Sequence, residues 1–146
     1  MDIYQLLKKD HKEAKDLFKK IQDGDGEKTE SFAKLRQELL IHMEGEEKLF
    51  YPVLKKNKET REKTEEGIDE HKEAKKIIKD MHTLRSDGDG EWEEKFEELQ
   101  EAIEHHVQEE EEELFPMAKH VLSAQQATQI AEKFQQAKQQ KMAMQT

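Results

Sequence analysis

The chain has 146 residues, 41% of them charged and 33% apolar, with a formal net charge of −10 and no cysteine. This length suits one domain with a single core, the charge repels nucleic-acid phosphates and anionic membrane surfaces, and the missing cysteines exclude disulfides, thiolate nucleophiles and iron–sulfur ligation. Any metal must then be held by nitrogen and oxygen donors, and cations are the natural partners. The start MDIYQLLKKDHK lacks a basic stretch followed by an apolar run, and nothing approaches the ~20 apolar residues of a membrane helix. A soluble, cytoplasmic protein is expected.

Apolar residues recur at helical spacing from the first residues onward. A first helix is predicted over residues 2–21, with Ile3, Leu6, Leu7, Ala14, Leu17, Phe18 and Ile21 on one face and His11 on the same stripe. It ends at DGDGE, residues 23–27, whose glycines and aspartates suit a turn and the capping of the next helix. A second helix over 30–56 carries Phe32, Leu35, Leu39, His42, Glu46, Leu49 with Phe50, and Val53 in steps of three and four, the seam of an antiparallel bundle. The third, over 64–84, turns Ile68, His71, Ala74, Ile78 and Met81 inward and ends before a second DGDGE at 87–91. The fourth, over 92–121, carries Trp92, Phe96, Leu99, Ile103, His106, Glu110, Leu114 and Met117. Ser123 is the expected N-cap of a short fifth helix packed outside the bundle, with Ala127, Ile130, Ala131 and Phe134 on its apolar face and a fraying tail.

The fold expected is all-α: an antiparallel up-down-up-down four-helix bundle over 2–121, followed by a short C-terminal helix and tail over 122–146, in one domain spanning 1–146.

The two halves repeat each other. HKEAK stands around both His11 and His71, and His42-x3-Glu46-x5-Pro52 is matched position for position by His106-x3-Glu110-x5-Pro116. His11 and His71 are 60 residues apart, His42 and His106 are 64 apart, and the extra four lie just before the second DGDGE. About one added helical turn preserves facing directions, so the two hairpins can oppose each other around a pseudo-twofold axis. Each proline removes a backbone donor and is expected to kink its helix.

Residues four apart on a helix differ by ~6 Å of rise and ~40° of rotation, so His42 and Glu46, like His106 and Glu110, project side by side. Two glutamates facing each other in a core would suffer desolvation and mutual repulsion unless cations lay between them. Four imidazoles and two bridging carboxylates provide two nitrogens and two oxygens for each of two metals. An oxide or hydroxide bridge and an exogenous ligand can complete the spheres. Mixed nitrogen and oxygen donors suit iron better than structural zinc, with manganese or zinc as substitutes.

These residues, His11, His42, Glu46, His71, His106 and Glu110, in an order ending with HHVQEEEEELFP, resemble the hemerythrin-like, or HHE cation-binding, domain family over residues 2–121. The resemblance implies a four-helix bundle with a non-haem di-iron centre that binds dioxygen, nitric oxide or peroxide, and the six residues as metal ligands. Oxygen-carrying members add a fifth histidine four residues from the histidine of the third helix, where this chain has Gly67 and Lys75 around His71. They also usually place an aspartate five residues after the histidine of the fourth helix, where this chain has Glu111 after His106, a possible substitute ligand. A more symmetric, more open site than that of an oxygen carrier follows. Binding of a small ligand is the primary expectation; a peroxide-decomposing enzyme of peroxidase or catalase type and an iron-binding or sensing module are the alternatives.

Other features read more plainly. His82, His105 and His120 are bundle-end or surface residues, and Tyr4 packs at a bundle end. The DGDGE segments lack the glycine and glutamate spacing of a calcium-binding loop. No histidine has an acidic residue three before it, which excludes the Glu-x-x-His di-iron pattern. Phe50, Leu49, Leu114, Phe115, Ile103 and Leu39 are the candidate apolar lining of the site.

Overall fold

The computed structural model describes residues 1–85 and 88–144, and among these every regular element is helical. The elements are α1 (Ile3–Gln22), α2 (Lys28–Gly45), a π turn (Glu46–Phe50), α3 (Tyr51–Lys55), α4 (Arg61–His82), α5 (Glu91–Glu109), a second π turn (Glu110–Leu114), α6 (Phe115–Val121) and α7 (Ala124–Met144). Both π turns lie within longer rods, so five helical rods make a bundle. α1 packs on α2, α4 on α5, α3 on α4, and α7 on both α1 and α2. No helix among the described residues is long and apolar enough to cross a membrane.

Local chemistry sets the ends. Asp2 and Gln5 exchange side-chain bonds with each other's backbone N–H in a capping box at the start of α1. After the turn, where Gly24 and Gly26 take φ of +75° and +77°, it is Glu27 that caps α2, accepting from the Thr29 and Glu30 amides. Ser123 caps α7 as expected, its Oγ accepting from Gln126 N while Gln126 Oε1 accepts from Ser123 N. Of the second DGDGE, Asp87 lies outside the described residues, and Gly90, at φ +97°, occupies the N-cap of α5.

Three expectations are corrected. The fifth helix is not short: α7 has 21 residues and stays helical through Met144, taking in most of the tail expected to fray. Phe134, 1% exposed, anchors it against α2. The second correction concerns the prolines. The backbone N–H of Tyr51 bonds Glu46 O, and that of Phe115 bonds Glu110 O, both five residues back. A proline ring cannot sit over an α-helical carbonyl four residues behind it, and the chain answers with a widened turn before each one.

The third correction follows from the second. One inserted residue turns the stripe by about 100°, so beyond each π turn the buried positions move along by one. Phe50, Tyr51 and Leu54 are buried while Leu49 and Val53 are half-buried, and Phe115 and Ala118 are buried while Met117 is half-buried.

The core has two apolar clusters. One contains Leu7, Phe50, Leu114, Phe115 and Phe134; the other contains Phe18, Phe32, Leu39, Trp92 and Ile103. Between their positions on α1, α2, α4 and α5 runs a belt of buried polar residues.

Candidate metal centre

α1, α2, α4 and α5 each contribute one histidine to that belt: His11, His42, His71 and His106. All four are buried, as are Glu46 and Glu110. The histidines form two pairs, with ring centroids 5.0 Å apart for His11 and His42 and 4.6 Å for His71 and His106. The glutamates join the pairs. Glu46 Oε1 lies 3.1 Å from Nε2 of both His42 and His71. Glu110 turns Oε1 to His11 Nε2 at 3.2 Å and Oε2 to His106 Nε2 at 3.4 Å. His11, His42, Glu46 and Glu110 thus offer donor atoms within 4.8 Å of one another, and Glu46, His71 and His106 form a second such group sharing Glu46.

Behind each ring stands a carboxylate. Nδ1 of His11 is 2.6 Å from Glu111, that of His42 is 2.9 Å from Asp10, that of His71 is 2.7 Å from Glu47, and that of His106 is 2.7 Å from Glu70. The pattern obeys the internal repeat. The acidic residue before His11 or His71 holds the histidine of the following helix, and the one after Glu46 or Glu110 holds the histidine of a helix in the other hairpin. A carboxylate on Nδ1 keeps the proton there, leaves Nε2 for the centre and raises its basicity as a donor. Two lysines support the outer ring: Lys138 of α7 donates to Asp10 at 2.6 Å, and Lys75 donates to Glu47 at 2.8 Å.

Nε2 of His11 and of His42, Glu46 Oε2 and Glu110 Oε1 are buried and make no hydrogen bond, although charged neighbours stand close. Buried polar atoms are almost always satisfied. Several that converge unaligned on one region suit a cation, and the nitrogen and oxygen donors present fit such an ion.

Electrostatics point the same way. Burial opposes charge on His42, but Glu46 and Asp10 outweigh it and push its pKa up to about 10. His11, His71 and His106 are also raised by their carboxylates against the effect of burial. Burial would raise Glu46, yet His42, His106 and His71 hold it well below the ordinary carboxylate range. Without metal, imidazolium protons supply the positive charge this cluster requires.

The structure therefore brings all six predicted residues together and sets Glu111, named only as a possible substitute for Glu110, against His11 Nδ1. Sequence reasoning missed Asp10, Glu47 and Glu70, whose signal was an acidic neighbour recurring beside the same position in both halves. It also missed Tyr51, which the π turn carries inward. Tyr51 is fully buried, and its hydroxyl donates to Glu110 Oε2. Burial first, then Glu110 and Glu46, keep this phenol neutral by raising its pKa well above the ordinary value. Gly67, one of the positions lacking a fifth histidine, is confined by it: a Cβ there would sit 3.3 Å from Tyr51 Oη.

The remaining histidines stay outside. His82 and His120 are exposed, and the His105 side chain is 63% exposed beside Glu70 and Glu109. Tyr4 packs edge-on against Phe50 and Phe115 near one end of the bundle.

A sequence model of the hemerythrin HHE cation binding domain matches residues 2–118. A DNA nickase of Nostoc sp. (strain PCC 7120 / SAG 25.82 / UTEX 2576) is 29% identical over 140 residues. That match covers 94% of this chain but 39% of the nickase, so the chain spans well under half of that relative. No solved structure matches. The match over residues 2–118, together with a buried cluster of histidines and glutamates of the kind that binds metal, shows that the chain belongs to the hemerythrin HHE cation-binding domain family.

Proposed function

We propose that this protein is a non-haem di-iron protein of the antiparallel four-helix type that binds dioxygen or a related small ligand, with His11, His42, Glu46, His71, His106 and Glu110 as metal ligands. The observation that carries the reading is that each glutamate reaches both histidine pairs, which one metal would not require. Bound iron would supply one-electron chemistry and affinity for dioxygen, nitric oxide or peroxide, and mixed nitrogen and oxygen donors favour it over structural zinc.

The chain's own part is to position and to exclude. The four outer carboxylates orient the imidazoles, and the apolar clusters on either side keep bulk water from the centre. A cavity of about 30 Å³ borders His11, His42 and His106, room for one water-sized molecule. A cleft of about 540 Å³ between α1 and α5 reaches His11 and is lined by Lys8, Lys12 and Lys15 together with Glu104 and Glu111. Decomposition of peroxide at the same centre is the second reading, since the small cavity beside His11, His42 and His106 would admit so small a neutral molecule. The activity named for the nickase does not carry over, because most of that relative lies outside the match and a net charge of −10 repels DNA.

Anaerobic loading of the metal-free full chain with ferrous iron tests the proposal. Saturation at about two irons per chain is expected, as the paired donor sets require. Saturation at one would sink it. Admitting oxygen while recording the optical spectrum then separates reversible binding from turnover.

A further inference from the structure

The pseudo-twofold repeat is obeyed by His11 and His71, Asp10 and Glu70, His42 and His106, Glu46 and Glu110, and Glu47 and Glu111, and it breaks at one aromatic pair. Sixty-four residues after Tyr51 stands Phe115. Both rings stack on a histidine, Phe115 on His11 with centroids 6.4 Å apart and Tyr51 on His71 at 5.2 Å. Only Tyr51 brings an oxygen. A second break makes room for it: Gly67 matches Leu7 sixty residues earlier, and a Cβ at 67 would press on Tyr51 Oη at 3.3 Å.

That hydroxyl does more than satisfy its own burial on Glu110. Its oxygen also lies 3.5 Å from His71 Nε2 and 3.4 Å from His106 Nε2, which are 3.1 Å from each other. Glu46 Oε1 stands 3.1 Å from the first of these nitrogens and 4.0 Å from the second. Donors around a cation with bonds of about 2.1 Å are roughly 3 Å apart at neighbouring positions and about 4 Å apart at opposite ones. The separations given for Tyr51 Oη, the two imidazole nitrogens and Glu46 Oε1 fall within that range.

Resting on the di-metal reading, we infer that Tyr51 is a seventh metal ligand, its phenolate oxygen binding the metal held by His71 and His106. The two metal positions are thereby inequivalent. The exogenous ligand enters at the His11 and His42 half, where Phe115 offers no donor and where the small cavity and the lysine-lined cleft lie. On binding, the Tyr51 O–H bond breaks heterolytically, the electron pair remains on oxygen as the donor pair, and the proton leaves to solvent. Nothing is oxidised or reduced. A cation at this place inverts the preference that keeps the phenol neutral without it.

The chain has only two tyrosines, Tyr4 and Tyr51, which makes the test specific. The full chain loaded with ferric iron is examined for phenolate-to-iron charge-transfer absorption and its resonance-enhanced phenolate vibrations, in the wild type, Tyr51→Phe and Tyr4→Phe, with metal per chain measured in each. The band is expected in the wild type and in Tyr4→Phe and absent from Tyr51→Phe. If Tyr51→Phe fails to fold, a band kept in Tyr4→Phe still assigns it to Tyr51. Two irons per chain with no phenolate band in the wild type would overturn the ligand role while leaving the di-iron centre intact, and so would a band that survives in Tyr51→Phe. Failure to take up two metals would instead defeat the centre itself.

Discussion

Asp10 Oδ2 lies 2.9 Å from His42 Nδ1, and the other oxygen of the same carboxylate receives Lys138 Nζ from α7 at 2.6 Å. The C-terminal helix is therefore joined to one half of the centre by an ion pair relayed through Asp10.

Asp10→Asn keeps the shape of this link but removes its charge. The asparagine cannot stabilise positive charge on His42 or raise the basicity of Nε2. Metal affinity at the His11 and His42 half is expected to fall ~10- to 100-fold, read by competition with a chromophoric chelator, while helicity by circular dichroism is unchanged. An affinity equal to that of the wild type would show that the carboxylate is ornamental.

The contact between α7 and the centre also has a steric side. A Cβ on Gly45 would come within 2.5 Å of Phe134 Cε2, and the Phe134 ring in turn packs edge-on to His42 with centroids 6.0 Å apart. Gly45→Ala must push α7 away from α2, at a cost of about 1–3 kcal/mol. Phe134→Ala should cost about 3–5 kcal/mol. In the double variant the clash disappears with the ring, so urea unfolding should show a loss clearly smaller than the sum of the two. Additive losses would mean that α7 docks otherwise than described.

Raising the pH from about 6.5 toward 10 should act oppositely on the stability of the metal-free chain and on metal binding. His42 is raised from 6.5 to about 10, so its stabilising charge is fully present below pH 6.5 and is lost as pH climbs through 10. Asp10 and Glu46 are held below their ordinary 3.8 and 4.5, so their contribution is present above those values and is lost in acid. The metal-free protein should be most stable between about pH 4.5 and 6.5 and should weaken toward pH 10. Metal must displace the imidazole protons, so its affinity should rise over that same alkaline interval. Thermal melts at pH 6 and pH 9, with and without a chelator, test both. A metal-free Tm higher at pH 9 than at pH 6 would contradict the assignment of charge within the cluster.

The sites of agreement between sequence and structure are local ones. His11, His42, Glu46, His71, His106 and Glu110 could be named because a histidine and a glutamate four apart share a helix face wherever that helix lies, and because two copies of one hairpin carry the same phase. The Ser123 cap and the turn at Gly24 and Gly26 were legible for a similar reason, since each depends on a few neighbouring residues.

What the letters alone could not settle began where the period changed. Leu49 with Phe50, Val53 and Met117 were placed inward by a straight helical repeat; of the first two only Phe50 is buried, and beyond the π turns Leu54 and Ala118 take the places of Val53 and Met117. Tyr51 reached the centre by the same rotation.

The sequence by itself determined the helical segments, the family and the doubled set of donors, because helix formation and facing direction follow from short-range spacing. Only the tertiary structure decided which carboxylate stands behind which histidine, that α7 reaches Asp10 through Lys138, and that Tyr51 faces the centre while Phe115 does not. Those relationships join residues up to 128 positions apart, and the packing of separate helices sets them, which no periodicity within one helix encodes.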